Sequence, residues 1–196
     1  MHISVFGASF DPPTGSHGHT GIVAFFAQRV DLVLVLPVYV HPFGEKKRIK
    51  ASFEDRMEMC RLAFGSLSDH KNVVVTECEK VVAEDWIRSG STAIPGTMDV
   101  LEWIETNLYP KARISFILGT DTYNDLIAGR WKRNEELLRR FRFYVVMRRA
   151  FFLGGGLFLL VAYCCWSMRM SLHLHACWIL HVLVRINAGV ALQQKK

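Results

Sequence analysis

The side chains best suited to chemistry in this chain lie close to its beginning. Ser9, Thr14 and His17 belong to a short loop that reads Gly7-Ala8-Ser9-Phe10-Asp11-Pro12-Pro13-Thr14-Gly15-Ser16-His17. An apolar run precedes this loop and an amphipathic run follows it, which is the pattern of a strand, a loop and a helix. A helix start offers unpaired amide groups and a positive dipole potential to an anion. The sequence therefore predicts a phosphate-binding turn with hydroxyl and imidazole donors beside it.

The loop matches neither the phosphate loop that ends in Gly-Lys-Ser/Thr nor the pattern G-x-G-x-x-G. It resembles the G-x-(S/T)-F-(D/N)-P-x-(H/T)-x-x-H motif of the nucleotidylyltransferases, and especially the nicotinamide/nicotinate mononucleotide adenylyltransferases of NAD synthesis. Thr14 and His17 match the last two conserved positions, with Ser16 in place of the usual glycine. The resemblance implies that His17 contacts the phosphates of ATP. His19 ranks below it, because a residue two positions further along a helix would point elsewhere, and an ordinary helix-start histidine is the alternative for His17.

The same resemblance implies further contacts with ATP. Gly7, Ser9 and Phe10 match the nucleotide-contacting G-x-S-F, although Phe10 could instead pack in the core. The basic segment 41–50 resembles one whose lysine reaches the ATP phosphates. Lys46 is the best match there and Lys47 is its close competitor. Arg148, in a segment that resembles the family's last strand, is a candidate phosphate contact, with a plain surface arginine as the alternative.

Residues for the second nucleotide come from later segments. Thr97 matches a T-x-x-x-L helix start that contacts the nicotinic base in related enzymes, and a plain N-cap is the alternative. Asp85 and Trp86 are expected in a loop upstream. The family's G-x-D…L…W block is matched by Gly119, Asp121, Leu126 and Trp131, of which Gly119 and Asp121 are candidate ATP contacts and Leu126 and Trp131 candidate mononucleotide contacts. It implies that the aspartate orders the ribose and that the indole offers a flat surface to the nicotinamide nucleotide.

Strand and helix patterns alternate along the chain. Strands are predicted over 3–6, 32–37, 73–78, 114–118 and 143–147, and helices over 17–28, 53–67, 97–108 and 134–140. Ser52 is expected to cap the second of these helices, with Leu62 on its buried side and Arg56 as a structural residue. Leu108 is expected on the buried apolar face of the third helix. Such alternation predicts an α/β fold, a Rossmann-like doubly wound parallel sheet. Ligands of these sheets lie beyond the carboxyl ends of the strands, near the switch in strand order. Both the 7–17 loop and the 119–121 loop follow a strand, so both are expected at that edge.

The resemblance thus implies an enzyme that transfers AMP from ATP to nicotinate or nicotinamide mononucleotide, and the residues do not choose between these two acceptors. Mg²⁺ is expected to bind through substrate phosphates, so no protein metal ligand is required. The alternatives are a nucleotidylyltransferase with another phosphate acceptor and an inactive or membrane-tethered nucleotide-binding relative. No nucleic acid polymer is expected as a partner, and a homo-oligomer is left open.

Composition changes after residue 136, and the family resemblance ends near residue 149. All 18 acidic residues lie in 1–136, and the last sixty residues hold nine Lys or Arg and no Asp or Glu. The resemblance covers a nucleotidylyltransferase domain, 1–149, and the tail, 150–196, lacks the family's S-S-T-x-x-R phosphate element. Residues 150–168 are uncharged and just long enough to span a membrane. The tail is read as a frameshifted or intron-derived translation, with a membrane anchor and a divergent folded cap as the alternatives.

Cysteine usage favours a reducing compartment. The five cysteines form no C-x-x-C pair, and the N-terminal run is too short for a signal peptide. We expect Cys60 and Cys78 to be buried thiols, and the protein to be intracellular. The cytoplasm is favoured and the nucleus is the alternative.

Overall fold

The computed structural model describes residues 1–40, 49–67 and 71–146 together with the backbone of 183–186. Its strands are β1 (His2–Ala8), β2 (Leu32–Pro37), β3 (Val73–Val75), β4 (Arg113–Gly119), β5 (Arg142–Val146) and β6 (Leu183–Ile186). Its helices are α1 (His19–Ala27), α2 (Phe53–Gly65), α3 (Cys78–Arg88), α4 (Thr97–Trp103), α5 (Thr120–Ile127) and α6 (Asn134–Arg140). One π-helical turn, Ile104–Leu108, continues α4.

The sheet has the order β3-β2-β1-β4-β5-β6. The first five strands in sequence pair in parallel, and β6 adds an antiparallel edge beside β5. The strand order reverses between β1 and β4, where Phe6 pairs with Ile117. The predicted Rossmann-like α/β fold is therefore confirmed. Apolar runs such as Leu32–Pro37 are buried along their whole length, because helices cover both faces of a parallel sheet.

Two apolar clusters fill the space on either side of the sheet. One contains Phe116, Leu126 and Phe143, and the other contains Phe6, Phe10 and Phe64. Cys60 and Cys78 are both buried free thiols, as predicted. Burial raises the pKa of Cys60 to about 12, so this thiol is unreactive at neutral pH.

Several predicted boundaries are wrong. The first helix begins at His19 rather than at residue 17, and β3 ends at Val75. Helix α3 was not predicted, because the apolar run 73–78 was interpreted as strand to its end. Asp85 and Trp86, expected in a loop, lie in α3. Leu62 and Leu108, expected on buried faces, are 69% and 43% exposed.

The N-cap of α4 is also displaced from the prediction. Gly96 occupies the N-cap, and its amide donates to the Asp99 carboxylate over 2.8 Å. Thr97 is instead the first residue of the helix, half-buried. By contrast, Ser52 caps α2 as predicted, accepting a hydrogen bond from the Asp55 amide at 3.0 Å.

Candidate nucleotide-binding site

Two loops meet where the strand order reverses. The first follows β1 and leads into α1, and the second joins β4 to α5. Since β1 and β4 are hydrogen-bonded neighbours, the carboxyl ends of these two strands lie side by side. Ligands of open α/β sheets bind in such crevices. The sequence-predicted groups after Gly7 and around Gly119 are thus brought to one edge of the sheet.

Phe10 gives the first loop its shape. Its φ of 49° lies in the left-handed region, which is strained for a bulky residue. The ring is 1% exposed and makes edge contacts with Phe6 and Phe64, at centroid distances of 5.4 and 5.6 Å. The strained conformation is therefore held by core packing, which matches the alternative given for this residue from the sequence.

Thr14 and His19 form a closed hydrogen-bonded pair at the start of α1. The Thr14 amide donates to His19 Nδ1 over 3.0 Å, and the His19 amide donates to Thr14 Oγ1 over 2.9 Å. Because an amide can only donate, Nδ1 accepts, and a neutral imidazole then carries its proton on Nε2. The ring also packs edge-on against Phe10 at 4.9 Å between centroids. His19 is thus fixed in orientation within the loop.

The expectation that His19 points away from the loop is therefore wrong. The helix begins two residues later than predicted, so His19 occupies its first position and turns back toward Thr14. His17 lies in the preceding turn, where its side chain is exposed. Within the part of the chain that the structure describes, His17 makes no hydrogen bond, and its role in phosphate binding stays a prediction.

Two glycines allow close contacts in this region. A Cβ on Gly18 would lie 2.0 Å from Thr14 Oγ1, so only glycine leaves room for the hydroxyl that accepts from the His19 amide. A Cβ on Gly7 would lie 2.7 Å from Cζ of Phe116. The resemblance implies a nucleotide contact at Gly7, which stays a prediction, and the structure shows close approach of the Phe116 ring there. Ser9 is half-buried, and its carbonyl accepts a hydrogen bond from Arg56.

The second loop carries an acidic side chain at the same edge of the sheet as the first loop. Gly119 is the N-cap of α5, and Asp121 lies in the first helical turn with its carboxylate exposed. Thr120 Oγ1 donates to the Val146 carbonyl at 3.4 Å, joining the loop to the end of β5. Asp121 is thus available to a ligand above the switch point.

The three residues predicted for the second nucleotide differ in accessibility. Thr97 and Trp131 are half-buried at the surface, and the Trp131 ring lies 6.2 Å from the Phe116 ring. Leu126 is fully buried in the core and has no surface for a ligand. Lys132 Nζ donates to the Ile94 carbonyl, which ties the Trp131 loop to the segment before α4. Thr97 and Trp131 are thereby linked through their neighbours in sequence.

Other sequence-based predictions lie outside the described residues. These are Lys46 and Lys47 of the basic segment, Arg148, and the uncharged run 150–168. Within 1–40, 49–67 and 71–146, no helix is long and apolar enough to cross a membrane. In the same ranges, no group of three His, Cys, Asp or Glu side chains is arranged to hold a metal ion.

Sequence reasoning missed two charged residues, Arg56 beside the first loop and Glu79 beside the segment that follows β2. Arg56 was taken as structural, and its guanidinium reaches the loop from α2. Glu79 received no role, yet its Oε2 accepts from the Tyr39 amide at 2.8 Å, and burial raises its pKa to about 7. Glu79 also lines a small depression with Tyr39 and Pro95. Neither contact could be read from local spacing, because the partners lie 47 and 40 residues apart.

The fold and the paired loops define a nucleotide-binding α/β protein of the nucleotidyltransferase class. A sequence profile of the cytidylyltransferase-like family matches residues 5–182, and the chain belongs to that family. It is 34% identical over 138 residues to a probable nicotinate-nucleotide adenylyltransferase of Anaeromyxobacter dehalogenans strain 2CP-C. That match covers 70% of this chain and 67% of the relative. A protein of the same name from Chlorobium phaeovibrioides is 33% identical over 139 residues, covering 70% of this chain and 64% of the relative.

Solved structures show the same fold. The chain resembles Plasmodium falciparum nicotinic acid mononucleotide adenylyltransferase in complex with NaAD, with a TM-score of 0.59 and 20% identity. The likeness covers 78% of this chain and 67% of that one. The same enzyme complexed with APC gives a TM-score of 0.58 with 19% identity and the same coverage.

Proposed function

We propose that this chain transfers the AMP group of ATP to nicotinate mononucleotide, forming the deamido dinucleotide of NAD synthesis and pyrophosphate. The observation that carries the proposal is the meeting of the two loops at the reversal of strand order. The acid is proposed over the amide because the curated relatives quoted above are named for nicotinate. Nicotinamide mononucleotide is the acceptor against which this choice is tested.

The reaction depends on positioning of the two substrates more than on acid–base chemistry. A phosphate oxygen of the mononucleotide attacks the α-phosphorus of ATP, and the bond from that phosphorus to the bridging oxygen of pyrophosphate breaks. The attacking oxygen is already anionic at neutral pH, so no general base is needed. The protein must hold two anions in line and stabilise the developing charge. The turn before α1 offers amides, the Thr14 hydroxyl and two imidazoles for this purpose.

Among the imidazoles, we propose His19 as the principal phosphate contact, with His17 further out in the turn. The contacts of His19 to Thr14 and Phe10 hold its ring in one orientation before substrate arrives. A pre-positioned donor stabilises transition-state charge without a reorganisation cost. Lys46 and Arg148 remain proposed phosphate contacts, and Asp121 a proposed ribose contact. Thr97 and Trp131 are proposed to contact the mononucleotide.

Mg²⁺ is proposed to arrive on the phosphates of ATP. The carboxylate of Asp11, which lies in the loop itself, accepts from the amides of Lys50 and Ala51 and is committed to them. Phosphate oxygens and water suit Mg²⁺ well, and the ion would neutralise the charge of the leaving pyrophosphate. We expect activity to require added Mg²⁺ and to be lost with excess chelator.

A second candidate is a nucleotide-binding relative that does not turn over. The absence of an S-S-T-x-x-R string from the sequence favours it. Two or three lost charge-assisted contacts, at about 1.5–3 kcal/mol each, would weaken the grip on the triphosphate by orders of magnitude. The boundary at residue 149, with 150–196 as a tail of separate origin, stays a proposal; the family match to residue 182 and the pairing of β6 with β5 count against it. Sequencing of the transcript tests that origin.

A coupled assay for pyrophosphate separates the candidates. Purified protein with ATP and Mg²⁺ is offered nicotinate mononucleotide, nicotinamide mononucleotide and phosphopantetheine in parallel. We expect release of pyrophosphate with nicotinate mononucleotide at the highest kcat/KM. Turnover with phosphopantetheine alone would show that the acceptor is not nicotinate mononucleotide. Saturable ATP binding with no turnover would favour the second candidate.

A further inference from the structure

Arg56 is a buried arginine whose guanidinium faces the back of the phosphate-binding turn. It projects from the first turns of α2 and is 2% exposed. Its Nη1 donates to the Ser9 carbonyl over 2.8 Å, and its Nε lies 3.4 Å from the Ala51 carbonyl. The side chain thus joins α2 to the residue that precedes the strained Phe10.

Within the described part of the chain, Arg56 forms no close ion pair. No carboxylate of the described residues lies within 4.0 Å of it, whereas five other arginines there form such pairs (Arg61, Arg88, Arg130, Arg133 and Arg140). Asp11 and Glu79 act on it only from a distance, and burial lowers its pKa. Arginine nevertheless keeps its proton in proteins. A buried cation is costly without a carboxylate partner, and the groups that face Arg56 are two backbone carbonyls and the Phe53 ring, whose centroid lies 5.5 Å from the guanidinium carbon.

The hydrogen bond to Ser9 has a geometric consequence for the turn. In a trans peptide the carbonyl and the next amide point in opposite directions. Holding the Ser9 carbonyl toward Arg56 therefore directs the Phe10 amide to the other side, away from the guanidinium. Among the described residues, none accepts a hydrogen bond from that amide. Arg56 consequently fixes the direction of one backbone donor in the loop.

Asp11 fastens the same turn to the segment that precedes α2. Its two carboxylate oxygens accept from the Lys50 amide at 2.5 Å and the Ala51 amide at 3.3 Å. The Ala51 carbonyl in turn faces Arg56. Residues 9–11 and 50–51 are therefore cross-linked by one buried cation and one carboxylate.

We propose that Arg56 is the positioning residue of the phosphate-binding turn and the buried source of positive potential beneath it, acting on the polyphosphate of ATP. Only the naming of ATP rests on the proposed function. The low dielectric of the interior strengthens this potential relative to that of an exposed arginine, and salt screens it less. The side chain acts through the turn and does not touch the nucleotide.

Three variants test the role. Arg56→Gln removes the charge and keeps much of the volume, and Arg56→Lys keeps the charge but loses the forked donor. Arg61→Gln is the matched control, because Arg61 lies on the same helix, half-exposed, in ion pairs with Glu58 and Glu77. Each variant is titrated with ATP and with inorganic tripolyphosphate by calorimetry, and its KM for ATP and for nicotinate mononucleotide is measured. Circular dichroism and thermal unfolding report on folding.

We expect Arg56→Gln to weaken binding of ATP and of tripolyphosphate by about 30-fold, the size of a lost charge-assisted interaction. Arg56→Lys should weaken both by about fivefold, and the KM for the mononucleotide should change less than twofold. Arg61→Gln should bind like the wild type. If Arg56→Gln fails to fold, the lysine variant carries the test.

The proposal is overturned if the folded Arg56 variants bind both anions like the wild type, or if both KM values rise equally. It is overturned as well if the wild type binds neither anion. Failure of the proposed function looks different: the Arg56 variants then show the expected loss of ATP binding, while the wild type releases no pyrophosphate with nicotinate mononucleotide.

Discussion

The two histidines at the start of α1 differ in their surroundings although they are two residues apart. His19 is held by Thr14 and Phe10, and His17 is exposed in the turn. We expect His19→Ala to lower kcat/KM for ATP by 100-fold or more, about 3 kcal/mol, and His17→Ala to lower it less than tenfold. Steady-state kinetics at saturating mononucleotide measure both. The opposite ranking would return the principal role to His17.

Glu79 makes stability depend on pH. Burial raises its pKa in the folded protein to about 7, above the unfolded value near 4.5. The folded state therefore binds more protons between these two pH values, and its contribution to stability falls as pH rises through that window. We expect Glu79→Gln to be more stable than the wild type by about 3 kcal/mol at pH 8, and nearly equal at pH 4.

Urea unfolding of both proteins at several pH values checks this expectation. The glutamine keeps an oxygen that can accept from the Tyr39 amide, so the comparison isolates the charge. Parallel stability curves for the two proteins would show that Glu79 ionises in the folded state as it does in the unfolded one.

At the scale of elements, the start of α1 depends on the Thr14 hydroxyl, which accepts from the His19 amide, and on Gly18, the N-cap residue. A Cβ at Gly18 would collide with Thr14 Oγ1, whereas a Cβ at Gly15 meets nothing within 4 Å. We expect Gly18→Ala to displace Thr14, to destabilise the protein by about 1–2 kcal/mol and to weaken ATP binding at least tenfold. Gly15→Ala is the matched control and should change ATP binding less than threefold.

The two glycine variants are compared by calorimetric ATP binding and by thermal unfolding. Equal ATP affinities in the two proteins would mean that the Thr14 hydroxyl does not organise the start of α1. A loss of ATP affinity in Gly15→Ala alone would mean that the backbone near Gly15, earlier in the loop, is the part on which ATP binding depends.

At the scale of the whole molecule, different polar contacts stabilise the two sides of the sheet edge, the side proposed for ATP phosphates and the side proposed for the mononucleotide. Arg56 and Asp11 hold the phosphate side. On the mononucleotide side, Arg133 binds Asp99 and Glu102 of α4 and Glu136 of α6, over 2.6–2.8 Å. These pairs stand beside Thr97 and Trp131, so they connect the two segments proposed to contact the mononucleotide.

We expect Arg133→Met to raise the KM for nicotinate mononucleotide about fivefold and to leave the KM for ATP within twofold, the reverse of the Arg56 pattern. Because Arg133 is partly exposed, solvent screening keeps its contribution to stability to about 1 kcal/mol. Thermal unfolding and the two KM values measure these effects. Equal changes in both KM values would mean that the two sides of the edge are not separable.

The sequence alone determined the class of fold and the edge of the sheet on which the candidate site lies. Continuous apolar runs specify buried parallel strands, and a glycine-bearing loop after such a strand lies at its carboxyl end. Strand β2 and helix α6 were predicted to the residue. The Ser52 cap was predicted as well, because capping depends on residues only three positions apart.

Only the tertiary structure decided which side chains meet. The first residue of α1, and hence the direction of His19, depends on a Thr14 hydroxyl and a ring packed on Phe10. The bond between Arg56 and Ser9 joins residues 47 positions apart, and the burial of Leu126 depends on helices packed from elsewhere in the chain. The spacing of apolar residues and the capping residues are local, so they can be read from the sequence. Long-range contacts form only when the sheet brings distant loops together.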